Sequence, residues 1–277
     1  NRTTPIVVSI ISNLNIFIPK TSSRAVTSEA GTADVIEAIA PVEFSLEKIK
    51  KIVSEVNACL VWGGSLRLAP ADDRILRISY ELGIEPYSKM IVSIMAKKVA
   101  MGATHLVIDM PIGEGAKISD FSEAKKVKKT FLYLSKKFNI KTKVIIEKMN
   151  GPVGRGIGPA LEIKDVLKVL EQKEDRPLDL EKRAIKLAGA LLELTKKAPV
   201  GKGETIALNQ LKNGGALRQF KRIIEAQGGI KDISSDKISL GQVNYEYKTD
   251  KEGMVSKIDL KELVRLTRRL GSPSTKQ

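Results

Sequence analysis

Two short apolar runs at residues 104–110 and 141–147 flank a long amphipathic stretch from about 119 to 138. A strand, a helix and a strand in that order leave the two strands parallel, joined by a right-handed crossover. The chain is thereby held to an α/β architecture. Similar alternation begins earlier. Residues 16–19 read as a short buried strand, and 34–39 have helical spacing. In 46–56, Leu46, Ile49, Ile52, Val53 and Val56 line one helix face with lysines opposite, and 58–62 read as a buried strand stopped by Gly63-Gly64.

The remaining segments read as mostly helical. Thr3-Thr4-Pro5 supplies a hydroxyl cap and an early proline, so residues 5–13 read as a buried helix, although Ile6-Val7-Val8 and Ile10-Ile11 also suit a strand. Residues 71–101 form a helical excursion broken at 83–86. Residues 151–159 have the glycine spacing of a dinucleotide loop. The acidic residue that should end a second strand is missing, so the segment reads as a turn and a helix start. Helices are expected over 161–170, 178–197 and 203–225, then a strand at 243–247 and a basic helix over 260–270.

Composition removes several functions. Hydrophobic residues make up 42% of the 277, enough for a sizeable core, and no apolar run nears the ~20 residues that cross a bilayer. With no signal-peptide pattern at residues 1–4, the chain reads as cytoplasmic. Cys59 is the one cysteine and sits in an apolar run; His105 is the one histidine. Neither a disulfide nor a transition-metal site is expected, so no cofactor or metal is called for, and chemistry falls to carboxylates, hydroxyls and cations. The net charge of +15 invites nucleic acid, but aromatics at 4% give little for base stacking and the lysines are spread over many helices. A small anionic substrate fits better.

Residues 20–34 suit such a substrate. Six hydroxyls and Arg24 lie between a strand and a helix start, where amides and the helix dipole also favour an oxyanion. A single hydroxyl, Ser28 or Thr32, would do no more than cap the helix. Arg24 reads equally as the cation of the loop and as a surface ion pair with Glu29 or Asp34.

This run resembles the SSRA(I/V)TS-x-AGTAD loop of the nucleoside phosphorylase superfamily that contains thymidine and pyrimidine phosphorylases, and most closely the archaeal AMP phosphorylases. The stretches 60–73, 93–98 and 107–117 agree with it in order and spacing, and the resemblance spans nearly the whole chain. It implies an α/β fold, a mostly parallel sheet flanked by helices, with a helical excursion and the start of a C-terminal α+β domain. The implied domains are 1–70 with 102–238, then 71–101 in a small helical domain, then 239–277. It also implies a fragment, since the family's glycine-rich phosphate loop would precede Asn1 and the rest of its last domain would follow Gln277. The implied activity is phosphorolysis of AMP, with CMP and UMP as further substrates, by a homo-oligomer that binds neither nucleic acid nor membrane.

The resemblance also assigns residues. Thr4, Ser22 and Thr32 belong to inorganic phosphate; Ser23, Arg24, Ala25, Val26, Thr27 and Ser28, with Thr32, belong to the nucleotide. Ser93 and Lys97, four apart on one helix face, match a Ser-x-x-x-Lys pair at the base or sugar. Lys117 matches a nucleotide-binding lysine, placed where it can read the 5′-phosphate. Glu85-Pro86 stands where AMP phosphorylases have Asp-Pro, which makes Glu85 the expected proton donor. Pyrimidine-specific members carry an Arg-Asp pair in this region, and residues 80–86 contain no arginine.

Overall fold

The computed structural model describes residues 1–25, 30–66, 75, 87–113, 116–149, 151–241 and 245–273. The chain runs α1 (Thr3–Asn13), β1 (Ile18–Ser22), α2 (Thr32–Glu37), α3 (Leu46–Val56) and β2 (Ala58–Trp62), closed by a 3-10 turn at Gly63–Leu66. Next come α4 (Tyr87–Ala100), β3 (His105–Ile112), α5 (Phe121–Lys137) and β4 (Lys141–Lys148). The helices α6 (Pro159–Leu170), α7 (Leu178–Leu194), α8 (Gly203–Lys212) and α9 (Gly215–Ala226) precede a 3-10 turn at Ser235–Lys237 and α10 (Leu260–Arg269).

Local chemistry accounts for the best-defined pieces. Ser45 caps α3 by accepting from the Lys48 amide at 3.3 Å, Ile49, Ile52 and Val56 are buried, and Asn57 ends the helix at φ 61°. β2 follows at once as Ala-Cys-Leu-Val-Trp, with its first four residues buried. It pairs in parallel with β1, from Ile18 opposite Ala58 to Ser22 opposite Trp62. β3 pairs in parallel with β4 across α5, from His105 opposite Lys141 to Ile112 opposite Lys148. The α/β class and its parallel pairing are therefore as expected. Among the described residues the strands form two separate two-stranded sheets.

Two cores match the two sheets. One gathers β2 with α1, α2, α3 and α6 to α9; the other gathers β3 and β4 with α4 and α5. α7 bridges them, lying against α1 on one side and against β3 and β4 on the other. Its Arg183 binds Asp109 of β3 at 2.5 and 3.1 Å and Glu147 of β4 at 3.1 Å. No helix among the described residues is long and apolar enough to cross a membrane.

Several boundaries move. β1 spans Ile18–Ser22, later than residues 16–19, because pairing with β2 sets its limits and apolarity does not. Residues 5–13 are helical, but Arg2 stands at the N-cap of α1 with no side-chain cap, so Thr3 and Thr4 begin the helix without capping it. Residues 203–225 form two helices, parted where Gly214 turns at φ 72°. Tyr245, Glu246 and Tyr247 are exposed and outside any strand, while Val243 and Asn244 lie outside the described residues. β3 is half-covered, since Leu106, Ile108, Met110 and Ile112 are buried and the residues between them are not. Cys59 is fully buried as expected, and burial pushes its thiol up to about 12.

Candidate functional site

The hydroxyl-rich loop leaves β1 after Ser22 and re-enters regular structure at Thr32. Asp34 holds its two sides together. The carboxylate Oδ2 of Asp34 accepts from the Ala25 and Gly31 amides, each at 2.7 Å, and the Ser23 carbonyl accepts from the Ala33 amide at 3.3 Å. Gly31 lies so close to the Ser23 carbonyl and the Arg24 backbone that a Cβ has no space there. The chain can close this tightly only with glycine at that position.

Asn1 fastens the loop to α1. Its side chain donates to the Ala30 carbonyl, and its own carbonyl accepts from Thr32 Oγ1 and the Thr4 amide, each at 3.3 Å. Thr4 and Thr32, assigned to phosphate from separate segments, thus meet at one residue. Ser22 ends β1 with its hydroxyl donating to the Val61 carbonyl at 3.3 Å, and Ser23 is exposed. Val26, Thr27 and Ser28 lie outside the described residues.

Arg24 is engaged by more carboxylates than the sequence suggested. It pairs with Glu37, with Glu43 at 2.8 Å and with Asp34 at 3.5 Å; Glu29 lies outside the described residues. Its guanidinium also sits 4.9 Å from the centre of the Trp62 ring. The Glu37 bond, more than any other contact, raises its pKa, so it is always charged. Asp34 was visible as a partner from its place in the loop. Glu37 and Glu43 become partners only because α2 folds back beside it.

Ser93 and Lys97 share α4, where Ser93 is buried beside the core residues Ile91 and Met95 and Lys97 is half-buried. Lys117 is exposed, beyond the end of β3. The turn before it is narrow. Gly113, at φ 145°, abuts the Met149 carbonyl, and its amide donates to the Ile118 carbonyl at 3.3 Å. Glu85 lies outside the described residues. One residue to which sequence reasoning gave no role also belongs to this region. Lys20 lies two before Ser22 on β1, and burial, with help from Lys98 of α4, lowers its pKa to about 7. Strand alternation, which sets Lys20 and Ser22 on one face, was the signal available for it.

The glycine-rich segment before α6 is a structural turn. Asp165 accepts from the Arg155 and Gly156 amides, each at 2.8 Å, Asp179 accepts from the Gly154 amide at 2.8 Å, and Arg2 closes on Asp165 at 2.8 Å. A cavity of about 290 Å³ lies beside Arg155, Lys164 and Lys168, and another of about 280 Å³ lies between α4 and α5. Neither includes a residue of the hydroxyl loop.

The chain is similar in sequence to known proteins. The profile of the family described as "Glycosyl transferase family, a/b domain" matches residues 3–217. The AMP phosphorylases of Methanosarcina acetivorans and Thermofilum pendens are 42% and 44% identical to the chain over 276 residues, all of this chain and 54% and 53% of theirs. A Legionella pneumophila protein provisionally named thymidine phosphorylase is 42% identical, over all of this chain and 52% of its own. The chain spans about half the length of these curated relatives. The crystal structure of anthranilate phosphoribosyltransferase from Thermus thermophilus shares the fold, with a TM-score of 0.64 at 15% identity, covering 82% of this chain and 73% of that one.

Proposed function

We propose, since the chain belongs to the glycosyl transferase family through its a/b domain, that the full-length protein is a nucleotide phosphorylase. It converts AMP and inorganic phosphate into adenine and ribose 1,5-bisphosphate, with CMP and UMP as further substrates. The observation that carries this reading is the meeting of Thr4, Thr32 and the end of β1 at one tight loop. AMP phosphorylase is also the name borne by relatives matching the chain over its whole length.

In this reading Thr4, Ser22 and Thr32 hold the attacking phosphate. Residues 23–28, with Thr32, Ser93, Lys97 and Lys117, hold the nucleotide, and Lys117 faces the 5′-phosphate. A phosphate oxygen forms the bond to C1′ as the bond from C1′ to N9 of adenine breaks, and Glu85 gives its proton to the departing base. Positive charge grows on the sugar as the bond breaks, so a phosphate anion held beside it stabilises the transition state as well as attacking it. The excursion at 71–101 and the segment 239–277 are parts of separate domains around the α/β body, and the full-length protein is a homo-oligomer.

Free-base release from AMP and from thymidine, each with and without phosphate, tests the proposal in the full-length protein. Phosphate-dependent release of adenine is the expected result. Release of thymine alone would move the protein to the pyrimidine-nucleoside class, and release of neither would leave a phosphate-binding or assembly module.

A further inference from the structure

The proposed reaction brings two phosphates together, and their proposed ligands stand on different cores. Thr4 on α1, Ser22 at the end of β1 and Thr32 at the start of α2 go with the first core, whereas Lys117 follows β3 of the second. Ribose 1,5-bisphosphate forms only if the two anions are held at one separation, so the spacing of the cores must be fixed. The bridging helix α7 can fix it. Its Ala184 is fully buried in the first core, and the preceding residue, Arg183, turns to the second with a side chain 8% exposed. The Arg183 Nε and Nη2 donate to the two oxygens of Asp109 at 3.1 and 2.5 Å, and Nη1 donates to Glu147 at 3.1 Å and to the Met149 sulfur at 2.9 Å. Asp109 is opposite Ile145, and Glu147 lies two residues further along β4, so both carboxylates fall on one face of the strand pair. One guanidinium thereby holds both strands near their carboxyl ends.

The contacts continue from there to Lys117. The Met149 amide donates to the Ile112 carbonyl at 2.8 Å, and the Met149 carbonyl comes so near Gly113 that a Cβ there would stand 2.5 Å from it. The Gly113 amide donates in turn to the carbonyl of Ile118, the residue after Lys117, at 3.3 Å. A planar fork with three partners fixes direction as well as distance, which an ammonium cannot, and its burial strengthens each bond. We infer that Arg183 is a positioning residue that sets the Lys117 turn at a fixed distance from the hydroxyl loop, so that a nucleotide 5′-phosphate and the attacking phosphate are held at the separation the reaction needs. It acts through Met149 and Gly113. This deepens the phosphorylase reading and rests on it.

The test is a double-mutant cycle read by titration calorimetry on the full-length protein, with AMP, adenosine and inorganic phosphate as separate probes. Lys117→Ala should weaken AMP by roughly 10–100-fold, and Arg183→Met by roughly 10-fold. Because Arg183 acts through Lys117, the double variant should bind AMP no worse than Lys117→Ala does. Adenosine and inorganic phosphate should bind as in wild type throughout. Losses that multiply in the double variant would overturn the inference. So would unchanged AMP affinity in Arg183→Met, or an equal fall for adenosine, the mark of a general support of the fold. Should Arg183→Met not fold, the cycle is run with Arg183→Lys, which keeps a cation between the carboxylates and loses the fork. Hydrogen exchange gives a readout that needs no ligand: the Gly113 and Met149 amides should exchange faster in either Arg183 variant, with the α3 amides unchanged. Equal protection in variant and wild type would also overturn the inference. Coupling between Arg183 and Lys117 without phosphate-dependent release of adenine would sink the phosphorylase reading alone. Release of adenine by a protein in which the two substitutions act independently would sink only the positioning role.

Discussion

The loops at 22–34 and 151–158 are built alike and end up with opposite balances of charge and hydrogen bonding. In each, a glycine sits where a Cβ has no room: Gly31 against the Ser23 carbonyl, Gly156 against the Leu161 backbone. An aspartate of the following helix then collects two amides, Asp34 in the first loop and Asp165 in the second. In the second loop Asp179 takes a further amide and the buried Arg2 takes the remaining charge of Asp165, so the protein answers its own donors. In the first, Ser23 is exposed, and Lys20, two residues before Ser22 on β1, has no carboxylate partner among the described residues. Glycine spacing therefore reports that a loop is tight. Whether it holds a ligand depends on the donors its own carboxylates leave over.

The largest test of this contrast is Asp165→Ala. It leaves Arg2, 5% exposed, with only the longer 3.5 Å carboxylate contact to Glu162 among the described residues, and it frees two backbone amides. Breaking a buried ion pair from one side costs about 3–5 kcal/mol, which urea unfolding would register. A loss below about 1 kcal/mol would mean that the second loop is not held by its own charges, and the contrast would fail.

Gly31→Ala comes next. The added methyl must push back the Ser23 carbonyl and the Arg24 backbone, an overpacking that costs about 1–3 kcal/mol. The same displacement opens the bonds to Asp34, so phosphate affinity should fall along with stability. In Gly156→Ala stability should fall and phosphate affinity should not. Equal effects of the two substitutions on phosphate would place the ligand elsewhere.

What could be read in advance divides along similar lines. α3 and β2 were legible because their causes are local: Ser45 caps, the apolar residues recur at helical spacing, and Asn57 stops the helix. β1 was displaced because its limits come from a partner strand 40 residues away in register. The break at Gly214 was missed inside a continuous amphipathic pattern, although Asn213-Gly214 is a helix-stop pair. In the site, hydroxyl density exposed the loop. The roles of Asp34, Glu37 and Glu43 were hidden, since they depend on α2 lying back across the loop. Lys20 was hidden more deeply, since its neighbour Lys98 arrives on α4.

Lys20 gives the loops a pH signature. Its pKa is lowered to about 7 in the folded protein by burial and by Lys98, against an ordinary value near 10.5. Between those values the unfolded chain binds the extra proton, so stability rises with pH across that window and is flat below it. The slope from this one group is at most about 1.4 kcal/mol per pH unit. Urea unfolding at pH 7, 8 and 9 should show the rise in wild type and a shallower one in Lys20→Met, with Lys98 supplying what is left. Identical slopes would show that folding leaves the proton affinity of Lys20 unchanged, as a solvated or a paired ammonium would. The two loops would then no longer differ.

Arg24→Met carries the smallest effect and separates the two loop cations most directly. Arg24 is 32% exposed, and its partners Glu37 and Glu43 are 37% and 54% exposed, so they return to water when it is removed. Asp34 keeps its two amide donors, and no buried charge is stranded. Exposed pairs contribute about 0–1 kcal/mol, and stacking on Trp62 adds ~0.5–1 at such a site. The expected loss is therefore about 1 kcal/mol, and most of the ion-pair part should vanish in ~1 M salt, where charges are screened beyond about 3 Å. A cation held this weakly can exchange its carboxylates for an anionic ligand at little cost. Arg2 cannot. If Arg24→Met costs as much as about 3 kcal/mol, the guanidinium is a structural clamp like Arg2, and the proposed nucleotide binding by this loop would have to rest on its hydroxyls and amides.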